Sequence, residues 1–204
     1  MKNKTTIVNA LILMAITLVA GFLLGFVNDL TAGPIEENRN EQILMANKAV
    51  FPVADSFENT AVLDKVLESQ EAILAKAETG FGKVTINDVK EARDASGACI
   101  GYLVTSTSHE GYGGDITIVV GIDSEGKVLG IEFTTLDETV GFGASASEPE
   151  FKSQFAGKSG QIAYTKGTPS ADNEIQAISG ATKTTKAVTN AVNAAVFFAT
   201  NGIK

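Results

Sequence analysis

Ser179-Gly180-Ala181-Thr182 closes a polar stretch and opens an alanine- and valine-rich one, with Lys183 and Lys186 close behind. The first backbone N–H groups of a helix have no partner within it, and the helix dipole makes that end partly positive. Such an end holds a phosphate group without further machinery. Gly180 lets the backbone approach a ligand closely, Ala181 adds little bulk, and Thr182 offers a hydroxyl. Cations are unfavourable at a helix N-terminus, so two lysines there fit a site that holds an anion. The rival reading is a Ser/Thr cap before an ordinary helix. Local sequence leaves both open.

The rest of the chain narrows the chemistry by what it lacks. Among 204 residues there is one cysteine, Cys99, and one histidine, His109. An intrachain disulfide, a multi-cysteine metal or iron–sulfur site and histidine-based triads are thereby excluded or left little room. A formal net charge of −8 argues against a nucleic-acid partner, which calls for a basic face. No metal site and no catalytic constellation is expected. Chemistry must come from hydroxyls, carboxylates, amides or a bound cofactor.

Those groups need elements to position them. Residues 7–27, "IVNALILMAITLVAGFLLGFV", carry no charge. Twenty-one residues at about 1.5 Å each cover the roughly 30 Å apolar core of a bilayer. Lys2 and Lys4 precede the run, while Asp29, Glu36 and Glu37 follow it. The positive-inside bias keeps the N-terminus cytoplasmic and sends the remainder outside. The run is too long for a signal peptide, and Leu30-Thr31-Ala32 makes a poor cleavage site. With Lys2, Lys4 and Asp29 assigned to the anchor, 14 basic and 23 acidic residues leave the exported part at −9.

Pro34 fits the first turn of a stalk helix that Pro52 stops, and residues 57–79 place Val62, Val66, Leu67, Ile73 and Leu74 among charges as one or two short helices. Four β-branched stretches follow, at 83–93, 98–108, 115–123 and 127–136, with turn chemistry at Asp94-Ala95-Ser96-Gly97 and Asp123-Ser124-Glu125-Gly126. Short connections make them antiparallel neighbours. After a loop-rich stretch with a short helix near 148–156, Val188, Ala191, Val192, Ala195 and Phe198 share one face of a helix from Thr182 to Thr200, closed by Asn201-Gly202. The expected class is α+β, an antiparallel meander flanked by helices and preceded by one transmembrane helix. The expected division is an anchor at 1–30, a helical stalk and segment at 31–80, and a binding domain at 81–204.

"AISGAT" resembles the S/T-G-A-T flavinylation motif of the RnfG and NqrC family, the FMN-carrying subunits of the Rnf and Na⁺-translocating NADH:quinone oxidoreductase complexes. The likeness extends over nearly the whole chain: the single N-terminal span, "LTAGPIEENR" after it, "GYGGDITIVVGIDSEGKVLGIEF" (111–133), "LDETVGFG" (136–143) and "FKSQFAGK". The chain departs from the family at Gln176, where an acidic residue is common. Val140 and Phe142 stand where the second loop usually reads proline and leucine.

The resemblance implies one FMN per chain, held by a phosphoester to Thr182 and attached from FAD by an FMN transferase. It implies that Ser179, Gly180, Ala181 and Lys183 shape the phosphate end, and that Glu138, Thr139, Gly141, Phe142 and Gly143 lie along the flavin. Tyr112, with Gly111, Gly113 and Gly114, is either a second wall or a strand-entry turn. The implied role is electron transfer within a membrane complex that oxidises ferredoxin, reduces NAD⁺ and moves Na⁺ or H⁺, alongside other membrane and peripheral subunits. A short chain favours the Rnf type over the quinone-reducing complex. The alternatives are a flavoprotein for extracellular electron export and a membrane-tethered, non-redox anion-binding module. Cys99 reads as a buried small hydrophobe and His109 as a surface side chain.

Overall fold

The computed structural model describes residues 2–78 and 80–203, apart from the side chains at positions 2, 3, 5, 36 and 39. Lys2 and Glu36, two of the charges behind the expected orientation, and Thr79, the end of the second helical stretch, therefore lie outside what is described. The chain divides into two units, Met1–Gln42 and Ile43–Lys204.

The first unit is most of helix α1 (Lys2–Val50). Its apolar side chains are exposed, and its length and composition suffice to cross a membrane. Two hydroxyls in it, those of Thr17 and Thr31, are satisfied within the helix, as a lipid setting requires. Thr17 Oγ1 donates to the carbonyls of Leu13 and Met14 at 3.1 and 3.0 Å, and Thr31 Oγ1 to that of Val27 at 2.8 Å. Contrary to expectation, Pro34 opens no new helix but sits inside this one. Proline removes one ladder bond, whereas propagation adds one bond per residue, so an established helix survives the loss.

In the second unit the last turn of α1 buries Ala46, Asn47 and Val50, and the helix stops just before Pro52. Strand β1 (Ser56–Glu58) and short helices α2 (Ala61–Glu68) and α3 (Gln70–Leu74) follow. Thr60 caps α2 by accepting from Leu63 N at 3.3 Å. Leu63 is the buried residue of α2, Val66 and Leu67 pack against the core beside it, and Val62 is 69% exposed.

The meander is present as read: β2 (Val84–Arg93), β3 (Cys99–Ser108), β4 (Ile116–Asp123) and β5 (Val128–Leu136), antiparallel and in sequence order, with β1 added beside β2. Both expected turns are built by an aspartate. Asp94 Oδ1 accepts from Ser96 N and Ala98 N, and Asp123 Oδ1 accepts from Glu125 N and Lys127 N, all at 2.9–3.0 Å. Each turn ends on a glycine with positive φ, Gly97 at 80° and Gly126 at 90°.

The sheet is covered on both faces. Ile86, Val104, Ile118, Val120 and Ile131 point to one face, into a core shared with helix α5 (Thr182–Phe198). Ala92, Leu103 and Val119 point to the other, where Ala46, Val50 and Phe51 cover them. Gly121 and Gly130, paired across β4 and β5, make the seat, since a Cβ on Gly121 would lie 2.8 Å from the Val50 carbonyl oxygen. Cys99 is exposed and not buried. It starts β3 at a register shift opposite Arg93, where the strand has not yet settled into the pleat. His109 is exposed, as expected.

Helix α4 (Pro149–Lys152) and a following 3₁₀ turn lie within the stretch read as a short helix. Strands β6 (Ala163–Thr165) and β7 (Glu174–Gln176) form a separate parallel pair that the sequence did not announce. Asn193, buried in α5, donates to the Ile162 carbonyl and accepts from the Ile162 N–H, each at 2.8 Å, and so ties this pair to the core.

Candidate functional site

The mouth of α5 is assembled by residues that the sequence placed there. Ala181, not a serine or threonine, is the cap position, and no side chain caps the helix. The plain capping reading therefore fails. The turn before it is held from inside: Ala181 N donates to the Ile178 carbonyl at 3.0 Å. Thr185 Oγ1 accepts from Ile178 N at 3.1 Å and donates to the Ala181 carbonyl at 3.0 Å. With Thr185 holding the turn, the first N–H groups of α5 are left for a ligand. Thr182 is the first residue of the helix and is half-buried.

A second loop faces this one. After β5, the chain from Asp137 to Gly143 turns back on itself, with Phe142 N and Ala144 N both donating to the Thr139 carbonyl at 3.1 and 3.2 Å. Glu138 ties that loop to the one between β3 and β4: its Oε1 accepts from Tyr112 N at 2.7 Å and from Gly113 N at 3.3 Å. Glu138 thus orders both loops through backbone amides.

Between the loops and the helix mouth lies a cavity of about 310 Å³, lined by Tyr112, Glu138, Thr139, Phe142, Gly143, Gly180, Ala181, Lys183 and Thr184. Phe142 and Tyr112 are 54% and 71% exposed, which leaves two aromatic faces open at its rim. Lys183 Nζ stands 5.7 Å from the centre of the Tyr112 ring. Two glycines keep the space clear. A Cβ on Gly143 would sit 2.5 Å from Glu138 Oε2 and 2.6 Å from Thr184 Oγ1, and one on Gly180 would sit 3.1 Å from the Phe142 ring. Gly180 also has φ +75°, which the turn requires.

Most of the expected residues thus meet. Three do not line the cavity. Gly141 is exposed at the loop tip, and Ser179 faces a separate hollow with Gln154, Gln176 and Glu148. Thr182 itself stands at the edge, its neighbours on both sides contributing to the wall. Thr184 is the residue that sequence reasoning missed. A threonine pair in the first turn of a helix is the available signal, because β-branched residues are no favourite there without a task.

The arrangement suits a flat, largely apolar group between the aromatic walls, with an anionic end at the uncapped helix start. That combination matches FMN in its chemistry.

Residues 111–196 match the FMN-binding domain family, and residues 1–50 match the RnfG N-terminal region. The G subunit of the Na⁺-translocating ferredoxin:NAD⁺ oxidoreductase complex of Acetobacterium woodii is 36% identical over 189 residues, covering 91% of this chain and 87% of that one. The G subunit of the proton-translocating ferredoxin:NAD⁺ oxidoreductase complex of Clostridium ljungdahlii is 37% identical over 116 residues, covering 57% and 62%. Among solved structures, NqrC of Shewanella oneidensis aligns over 76% of this chain and 74% of its own, with 19% identity and a TM-score of 0.48.

Proposed function

The chain belongs to the RnfG family, and we propose that it is the electron-transfer subunit of a membrane-bound, ion-translocating ferredoxin:NAD⁺ oxidoreductase, carrying one FMN linked through its phosphate to Thr182. The single observation that carries this reading is the uncapped start of α5 opening beside a cavity with aromatic walls, with a threonine at the first helical position. The relatives point to the complex; the site supplies a place for its cofactor.

FMN bound there supplies reversible uptake and release of electrons. Everything else falls to the chain. Thr182 Oγ would be the atom that takes the FMN phosphoryl group of FAD, giving up its proton in exchange, with AMP as the leaving group. The phosphodiester keeps one negative charge, which the helix start and Lys183 would offset. Phe142 and Tyr112 would hold the ring and shed water from it, while Glu138 would fix the loops that carry them. A covalent bond keeps the cofactor in place on the outer side of a membrane, where a lost one could not be replaced. The other subunits would hold the ferredoxin and NAD⁺ sites, since one cysteine and no G-x-G-x-x-G unit leave none here.

The test is denaturing electrophoresis of the chain co-produced with an FMN transferase. The expected band fluoresces as flavin, goes dark in Thr182→Val and stays bright in Lys186→Ala. A dark wild-type band would instead favour a non-redox, anion-binding module. Labelling of single cysteines introduced beyond residue 43 into a Cys99→Ser background, in intact cells, reports which side the domain occupies.

A further inference from the structure

Thr184 is 1% exposed, yet its hydroxyl has no hydrogen-bond partner among the described residues and it lines the cavity. A hydroxyl that bonds nothing in the protein and opens on a cavity keeps both its donor and its acceptor for a group bound there. Its neighbour across the cavity is Glu138. One carboxylate oxygen of that residue, Oε1, is used by the Tyr112 and Gly113 N–H groups; Oε2 has no such task. Thr184 Oγ1 and Glu138 Oε2 lie 2.6 and 2.5 Å from the point that a Cβ on Gly143 would fill, hence no more than about 5 Å from each other. Gly143 is what keeps the gap between them open.

We infer that Thr184 and Glu138 form a polar slot for the neutral, hydroxyl-bearing part of the ligand, the polyol chain between phosphate and ring. Charge decides against the phosphate itself, because a carboxylate oxygen forms one side of the slot. It decides for a group that donates to Glu138 Oε2 and both donates to and accepts from Thr184 Oγ1, as a chain of hydroxyls does. Lys183 and the open helix start remain for the phosphate. The inference rests on reading the cavity as a flavin site and adds the residues that grip the cofactor's middle.

The test uses the full chain in detergent with Thr182→Val as background, so that no covalent load forms. The probe is riboflavin, which has the ring and polyol but no phosphate, followed by fluorescence anisotropy. Saturable binding is expected, weakened about tenfold by adding Thr184→Val and restored by Thr184→Ser. The thermal midpoint of the valine variant should equal or exceed that of its parent, since the hydroxyl bonds nothing in the protein. Equal riboflavin binding with threonine and valine, or no saturable binding up to millimolar probe, overturns the slot. So does a lowered thermal midpoint that serine restores. A dark wild-type band in electrophoresis together with Thr184-dependent riboflavin binding would sink the covalent reading and keep this one.

Discussion

Glu138 Oε1 accepts a hydrogen bond from the backbone N–H of Tyr112, 26 positions earlier in the chain, at 2.7 Å. One carboxylate thereby joins the loop before β4 to the loop after β5. These two strands are already neighbours, so the bond fixes the loop ends and not the strand register.

Removing that carboxylate should loosen the site more than the fold. Glu138→Ala is expected to cost about 1–2 kcal/mol in urea unfolding, the usual range for a charge-assisted bond that is partly solvated. Glu138→Gln retains an acceptor and should lose less than half of that. Hydrogen exchange at Tyr112 and Gly113 should accelerate in the alanine variant while β4 stays protected. Uniform exchange rates in the two loops would refute the clasp.

Asn193 is the opposite case, a buried amide with the fold resting on it. Asn193→Leu removes its bonds to both the N–H and the carbonyl of Ile162 and leaves two buried backbone groups unpaired. At roughly 1–3 kcal/mol for each of the two unsatisfied groups, a loss of about 2–6 kcal/mol is expected. Urea midpoints of the variant and wild type measure it, and a shift under about 0.5 kcal/mol would contradict it.

Acid should act through two surface carboxylates. The Ser96 hydroxyl, then the Ala98 N–H, hold Asp94 below its ordinary 3.8, and the Ser170 N–H, then its hydroxyl, hold Glu174 below 4.5. A depressed folded-state pKa gives stability that is present above the unfolded value and lost as pH falls through the folded one. Ser96→Ala should therefore lower the urea midpoint at pH 7, with the gap to wild type closing as pH falls below the ordinary 3.8 of Asp94. A gap that persists unchanged in acid would mean that the serine acts by packing.

The four meander strands could be read because Asp-x-x-Gly turns fix their ends and β-branched residues fill them. The face of α5 was legible for the same reason: alanine and valine recur at helical spacing. Other features rest on contacts between distant residues. The three-residue strands β6 and β7 are too short to carry a pattern, and Asn193 secures them from another element. The exposure of Cys99 comes from a register shift. In the site, residue identities pointed to the helix mouth, whereas the vacancy between Glu138 and Thr184 depends on the absence of one carbon at Gly143. Only three dimensions show what that absence makes room for.

The seat that Gly121 and Gly130 offer to Val50 has a practical meaning for anyone cutting the chain. The end of the first helix belongs to the second unit, because Ala46, Val50 and Phe51 roof one side of the sheet. A fragment begun at the first strand would shed that roof and present bare Leu103 and Val119 to water, an invitation to clump. One begun at Ile43 keeps the roof while leaving the greasy anchor behind.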